Sequence, residues 1–147
     1  MALAERTAEV RWNGTLASGD GVLRAGSDAV TALPIDWASS DDRAEGASSP
    51  EELLAGAHAS CYAMALSLLL TRDGTPPETL DVEARCSLEE DGDWYRVSAM
   101  DLEVRGSVPD LDGGAFERAA READRRCPIS NALRGSVEIR LHAELAA

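Results

Sequence analysis

At 147 residues, with 44% apolar and 28% charged positions, the chain has the composition of an ordinary globular domain and not of a disordered one. Its formal net charge of −13, with arginine as the only strong cation and no lysine, argues against a nucleic-acid partner and against an anionic substrate. Three scattered cysteines are too few for a disulfide framework.

No apolar run of about 18 residues escapes polar interruption, so no membrane-spanning helix is expected. The first residues, Met-Ala-Leu-Ala-Glu-Arg-Thr-Ala-Glu, lack a basic stretch followed by an apolar core, so no secretory leader is expected either. A cytoplasmic, single-domain protein (1–147) is the resulting expectation.

Residues 7–36 alternate apolar and polar positions in short runs broken by Asn-Gly, Gly-Asp-Gly and Ala-Gly-Ser, a pattern that predicts two or three antiparallel strands joined by hairpins. Val10 and Trp12 share a face by the two-residue period. Residues 38–49 are Ser, Asp, Ala and Gly with little apolar content and read as a long loop. A helix is predicted next, over 50–70. Ser49 suits the N-cap, Pro50 the first position and Glu52 the third, which completes a capping box, and Glu51 and Glu52 favour the positive end of the helix dipole. The helix is apolar on nearly every face, so it is expected to be buried all round, between a sheet and a second subunit. Asp73-Gly74 should end it.

Residues 80–88 and 95–104 alternate around Glu-Glu-Asp-Gly-Asp and predict a hairpin. Residues 115–126 read as an amphipathic helix, interrupted at Pro128. A short helix then runs to Gly135, which suits a C′ position, and residues 137–145 close the chain as a strand. The order is strands, central helix, two strands, helix pair, strand, an α+β layout.

Cys61 lies within the apolar helix between small neighbours, Ala57 and Ala65, that leave room for a reagent to approach sulfur. It reads either as a small core residue or as an attacking thiol. An apolar site alone would raise its pKa, so reactivity requires a nearby cation. Arg43, in the polar loop, is the candidate, with Arg11 and Arg24 on the first strands as rivals. Glu51 is a plain N-terminal carboxylate or the partner of an arginine fork. Ten residues of helix put it about 15 Å from Cys61, so a shared site needs either a helix break near Gly56 or the Cys61 of an antiparallel partner chain, and the partner chain is favoured. Cys127, before Pro128 at a helix start, faces unpaired backbone N–H groups that favour negative charge. It is a second thiol or a cap residue without special role. His58, three residues before Cys61, reads as a packed histidine, with a base as the alternative. Cys86 reads as a sheet residue.

Two stretches carry a resemblance: Ser-Pro-Glu-Glu-Leu-Leu-Ala-Gly-Ala-His-Ala-Ser-Cys-Tyr-Ala-Met-Ala-Leu at 49–66 and Cys-Pro-Ile-Ser-Asn-Ala-Leu at 127–133. Val10-Arg11-Trp12-Asn13-Gly14 and Arg43-Ala44-Glu45-Gly46 extend it. The chain resembles the OsmC/Ohr family of thiol-dependent peroxidases, and its Ala-His-Ala before Cys61 is more similar to the OsmC branch. The resemblance implies antiparallel sheets around a long buried helix in an intertwined homodimer, with sites at the interface. It implies Cys61 as peroxidatic and Cys127 as resolving residue, with Arg43 and Glu51 matching the family's arginine and glutamate. It further implies a small organic hydroperoxide as substrate, an external lipoyl-type or thioredoxin-like dithiol as reductant, and no metal or cofactor. The rival expectation is a non-enzymatic redox-responsive or metal-binding protein using Cys61, His58 and Cys127, with His142 as a possible further ligand.

Overall fold

The structure, a computed structural model, describes residues 1–37 and 46–146. Its residues group into two compact units, Met1–Leu53 and Leu54–Ala147.

In the first unit, β1 (Ala8–Asn13), β2 (Asp20–Ala25) and β3 (Leu33–Ile35) form an antiparallel sheet in the order β1-β2-β3. The register runs from Ala8 opposite Ala25 to Asn13 opposite Asp20. The Asn-Gly signal is used as expected: Gly14 takes φ +92°, a conformation costly for any other common residue. The indole of Trp12 donates to Gly14 O at 3.0 Å. Gly21 lies under Trp12 and Val10, where a Cβ would stand 2.9 and 3.3 Å from their side chains, so these two do share a face. Ser48 pairs with Ile35 beyond the strand, its N–H on Pro34 O at 2.8 Å.

The helix α1 (Pro50–Arg72) is continuous. Ser49 caps it, accepting from Glu52 N at 3.2 Å, but the reciprocal half of the expected box is different: Glu52 accepts from the Ser48 hydroxyl at 2.8 Å. At the other end Thr75 N returns to Leu70 O at 2.9 Å and Gly74 takes φ +81°, the left-handed closure that stops a helix.

In the second unit, β4 (Thr79–Asp91) and β5 (Trp94–Ser107) form a long antiparallel hairpin turning at Gly92, with a bulge at Ser87/Leu88. Two helices follow, α2 (Gly113–Arg126) and α3 (Pro128–Leu133), then β6 (Glu138–Leu145). Asp112 caps α2 by accepting from Ala115 N at 2.8 Å, and Gly135, at φ +95°, follows the end of α3 as expected. The helix pair makes a crossover, so β6 pairs parallel to β5, Ala99 opposite Glu138 through Gly106 opposite Leu145. The second sheet is therefore mixed.

The core of this unit is built on period: Met100, Leu102 and Val104 of β5 point inward with Phe116, Ala120 and Ala123 of α2 and Tyr62, Leu66 and Leu70 of α1. A single chain buries one stripe of α1, at His58, Tyr62, Leu66 and Leu70, and leaves Met64 72% and Leu68 50% exposed. By length and composition alone α1 is also large and apolar enough to cross a membrane, a test that a core helix passes equally. Its buried stripe contributes to the core just described.

Candidate functional site

The second unit brings the two thiols together. Cys61 is half-buried on α1, at the flank of the buried stripe and beside the exposed Ala57. Cys127 is fully buried between α2 and α3. It closes one helix and opens the next: its N–H donates to Ala123 O at 2.8 Å and its carbonyl accepts from Asn131 N at 3.0 Å. Its sulfur accepts from Ser130 N at 3.5 Å. Pro128 explains the break, since it lacks the N–H that would continue α2 and it suits the first position of α3.

Cys61 packs against the core cluster to which Cys127 belongs, with Cys127 and the Ile129 backbone among its near neighbours. Burial is the main influence and pushes the Cys61 thiol above its ordinary pKa; the Ile129 N–H opposes this, and the adjoining Cys127 thiol adds to it.

Behind the sulfurs lies a buried polar group that sequence reasoning missed in part. His58 is fully buried, and its Nε2 meets the Ser130 hydroxyl at 2.7 Å. Burial lowers the imidazole pKa; Asp124 pulls it up and Arg134 pushes it down. His58 Nδ1 and Asp124 Oδ1 are buried without a hydrogen-bond partner among the described residues. Arg134 holds Asp124 through its carbonyl at 3.0 Å and its carboxylate at 3.4 Å. Tyr62, also buried, donates to Ala120 O at 2.9 Å, and burial raises its phenol pKa strongly. The packed reading of His58 is the one observed. Ser130 carried no signal except its spacing, three residues after one cysteine as His58 is three before the other.

Of the remaining candidates, Arg43 lies outside the described residues. Arg24 is on β2 with its guanidinium on Asp28 at 2.9 Å, and Arg11 lies exposed on β1. Glu51 sits half-buried in the first turn of α1, and α1 does not break near Gly56. Glu51 also edges an apolar hollow of about 380 Å³ in the first unit, lined by Val10, Trp12, Leu23, Trp37 and Leu53 among others. Among the described residues no group of three or more His, Cys, Asp or Glu side chains is arranged to hold a metal. Cys86 pairs opposite Met100 in the sheet, and His142 sits on the exposed side of β6.

Comparison with known proteins adds to this geometry. The model of the family described as OsmC-like protein matches residues 41–142. The peroxiredoxin OsmC of Escherichia coli is 28% identical over 131 residues, 89% of this chain and 91% of that one. The organic hydroperoxide resistance protein-like 1 of Staphylococcus epidermidis is 32% identical over 104 residues, 67% of this chain and 71% of that protein. Among solved structures, an organic hydroperoxide resistance protein OsmC from Legionella pneumophila superposes with a TM-score of 0.76 at 22% identity, covering 98% of this chain and 99% of the other. That last likeness carries the fold alone.

Proposed function

Since the chain belongs to the OsmC-like protein family, we propose that it is a thiol-dependent peroxidase that reduces organic hydroperoxides to alcohols. The observation that carries this reading is the packing of Cys61 against the core cluster that holds Cys127, two thiols 66 positions apart in the sequence. Two adjoining thiols, one half-open and one sealed, suit an attacking and a resolving role.

In the proposed cycle the Cys61 thiolate attacks the peroxide oxygen remote from the alkyl group. The O–O bond breaks, the alkoxide takes up a proton and leaves as alcohol, and sulfur keeps the transferred oxygen as a sulfenic acid. The sulfur is oxidised by two electrons and the peroxide is reduced by the same two. Cys127 then displaces the hydroxyl, its own proton leaving with it as water, and the Cys61–Cys127 disulfide forms. An external dithiol of lipoyl or thioredoxin type reduces that disulfide by exchange.

In the same reading Arg43 supplies the positive charge that burial makes necessary, and Glu51 orients its guanidinium through a forked pair. About 15 Å of unbroken helix separates Glu51 from Cys61 of its own chain, so the glutamate serves the Cys61 of a partner in a homodimer. The apolar hollow beside Glu51 supports a greasy, uncharged substrate, as does the net charge of −13. Hydrogen peroxide would be turned over less well, and the dithiol requirement fits the cytoplasm.

The test is consumption of cumene hydroperoxide by the purified protein with dihydrolipoamide as reductant. Cys61→Ser is expected to reduce it to the background of the dithiol alone. Cys127→Ser should allow one turnover, ending in a sulfenic acid or its overoxidised products. Wild-type rates from the Cys61→Ser protein would overturn the proposal.

A further inference from the structure

The two sulfurs sit on separate elements, and one hydrogen bond ties those elements together immediately behind them. His58 precedes Cys61 by three residues on α1, and Ser130 follows Cys127 by three residues on α3. Their side chains meet at 2.7 Å in full burial. Ser130 holds Cys127 as well, because its backbone N–H lies on the Cys127 sulfur at 3.5 Å. We propose that the His58–Ser130 hydrogen bond is a positioning clamp for the resolving step, holding α3 against α1 so that the Cys127 sulfur stays beside Cys61. The idea rests on the peroxidase reading and deepens it.

The chemistry of the position supports a role beyond filling space. Burying an imidazole whose Nδ1 has no hydrogen-bond partner among the described residues carries a desolvation cost that an apolar side chain of similar size would not incur. A core that needed only volume would be served as well by leucine. What the ring provides is directional: a single short bond spanning 72 positions of sequence, next to a pair of thiols. Arg134 at the end of α3 is tied to Asp124 of α2, through its carbonyl at 3.0 Å and its carboxylate at 3.4 Å, across the same turn. Closing the disulfide demands a sulfur–sulfur bond of about 2 Å with a restricted dihedral, so the approach of the two backbones must be held closely. Attack on peroxide by Cys61 makes no such demand of Cys127. The clamp therefore acts on the second step and leaves the first alone.

The experiment separates the two steps in single-turnover mixing of reduced protein with cumene hydroperoxide. Sulfenic acid is trapped with a cyclic 1,3-diketone, and disulfide is counted by mass after acid quench and alkylation. His58→Leu is expected to slow disulfide closure about tenfold or more, as loss of an oriented approach does, while the rate of sulfenic acid formation stays at the wild-type value. Ser130→Ala should do the same from the other side of the bond, and it covers the case in which His58→Leu does not fold. His58→Gln, whose side-chain amide can still meet the serine hydroxyl, should recover most of the closure rate. Wild-type closure in both His58→Leu and Ser130→Ala, or equal slowing of both steps, would overturn the clamp. A wild-type protein that forms no sulfenic acid would overturn the peroxidase reading instead. The clamp is then judged by equilibration with oxidised dithiothreitol: His58→Leu should lower the constant for Cys61–Cys127 disulfide formation about tenfold, or about 30 mV in potential. An unchanged constant rejects it.

Discussion

At the scale of single residues, the reactivity proposed for Cys61 turns on a conflict between burial and charge. Burial raises its pKa, the Ile129 N–H resists, and the neighbouring Cys127 thiol reinforces burial. A raised thiol pKa means a smaller thiolate fraction at neutral pH, by about tenfold for each unit. A guanidinium beside the sulfur lowers a thiol pKa by about 1–3 units, so the proposed Arg43 determines whether the site reacts at pH 7. Arg43→Met is therefore expected to cut the bimolecular rate with cumene hydroperoxide about 10- to 100-fold at pH 7. The midpoint of the pH–rate profile should move upward, and most of the loss should be recovered as the solution is made alkaline. Stopped-flow rates between pH 5 and 10 read this directly. The same profile in Arg43→Met and wild type would move the role to another arginine. Arg24→Met, which removes a surface pair with Asp28, should leave the profile unchanged.

The same scale shows what single residues disclose in advance. Cys61 and Cys127 are legible because a thiol in an apolar helix and a thiol before proline are both unusual placements. The partners of those thiols are not. Ser130 in the first turn of a short helix looks like an ordinary capping residue, and only the fold tells that it faces His58. Asp124 and Arg134 likewise read as helix-surface charges until their side chains and carbonyls are seen together.

At the scale of elements, α2 lies against the sheet so closely that a glycine is required. A Cβ on Gly106 of β5 would stand 2.6 Å from the ring of Phe116, which is fully buried in α2. Gly106→Ala must displace that ring within a packed core, and such overpacking costs about 1–3 kcal/mol. Urea unfolding should show a lower midpoint with the slope unchanged. Phe116→Leu in the same chain should make the alanine nearly neutral, and a double-mutant cycle with no coupling between the two would refute the contact. The elements themselves are well marked in the sequence, because alternation, Asn-Gly and Gly-Asp turns and the Ser-Pro-Glu-Glu start each have a local cause. Pairing has none: residues 137–145 alternate in the same way whether they lie parallel or antiparallel to a neighbour. The parallel match of β6 to β5 follows from the helix crossover, a property of topology. The bulge at Ser87/Leu88 is invisible for the same reason, since it is defined only against the opposite strand.

For the whole molecule, the informative fact is the mismatch between the sequence of α1 and its surroundings. The helix is apolar on nearly every face, yet one chain buries a single stripe of it. The exposed positions Ala57, Ser60, Met64, Leu68 and Thr71 recur at intervals of three and four, so they form one continuous face. An exposed apolar face of this kind marks an interaction surface, and the homodimer proposed above places a second chain on it. Met64→Glu with Leu68→Glu tests that arrangement, because two carboxylates at the centre of an apolar interface oppose association. Wild type should sediment as a dimer and the double variant as a folded monomer. Peroxide turnover should fall by about 100-fold, the order of loss expected when a positioning group is taken from a site, since each Cys61 would be without its partner's Glu51. Disulfide formation with oxidised dithiothreitol should persist in that monomer, because Cys61 packs against the cluster holding Cys127 within one chain. Loss of both activities together would mean that the substitutions had damaged the thiol pair itself. A monomeric wild type with full turnover would show that Glu51 is not shared between chains.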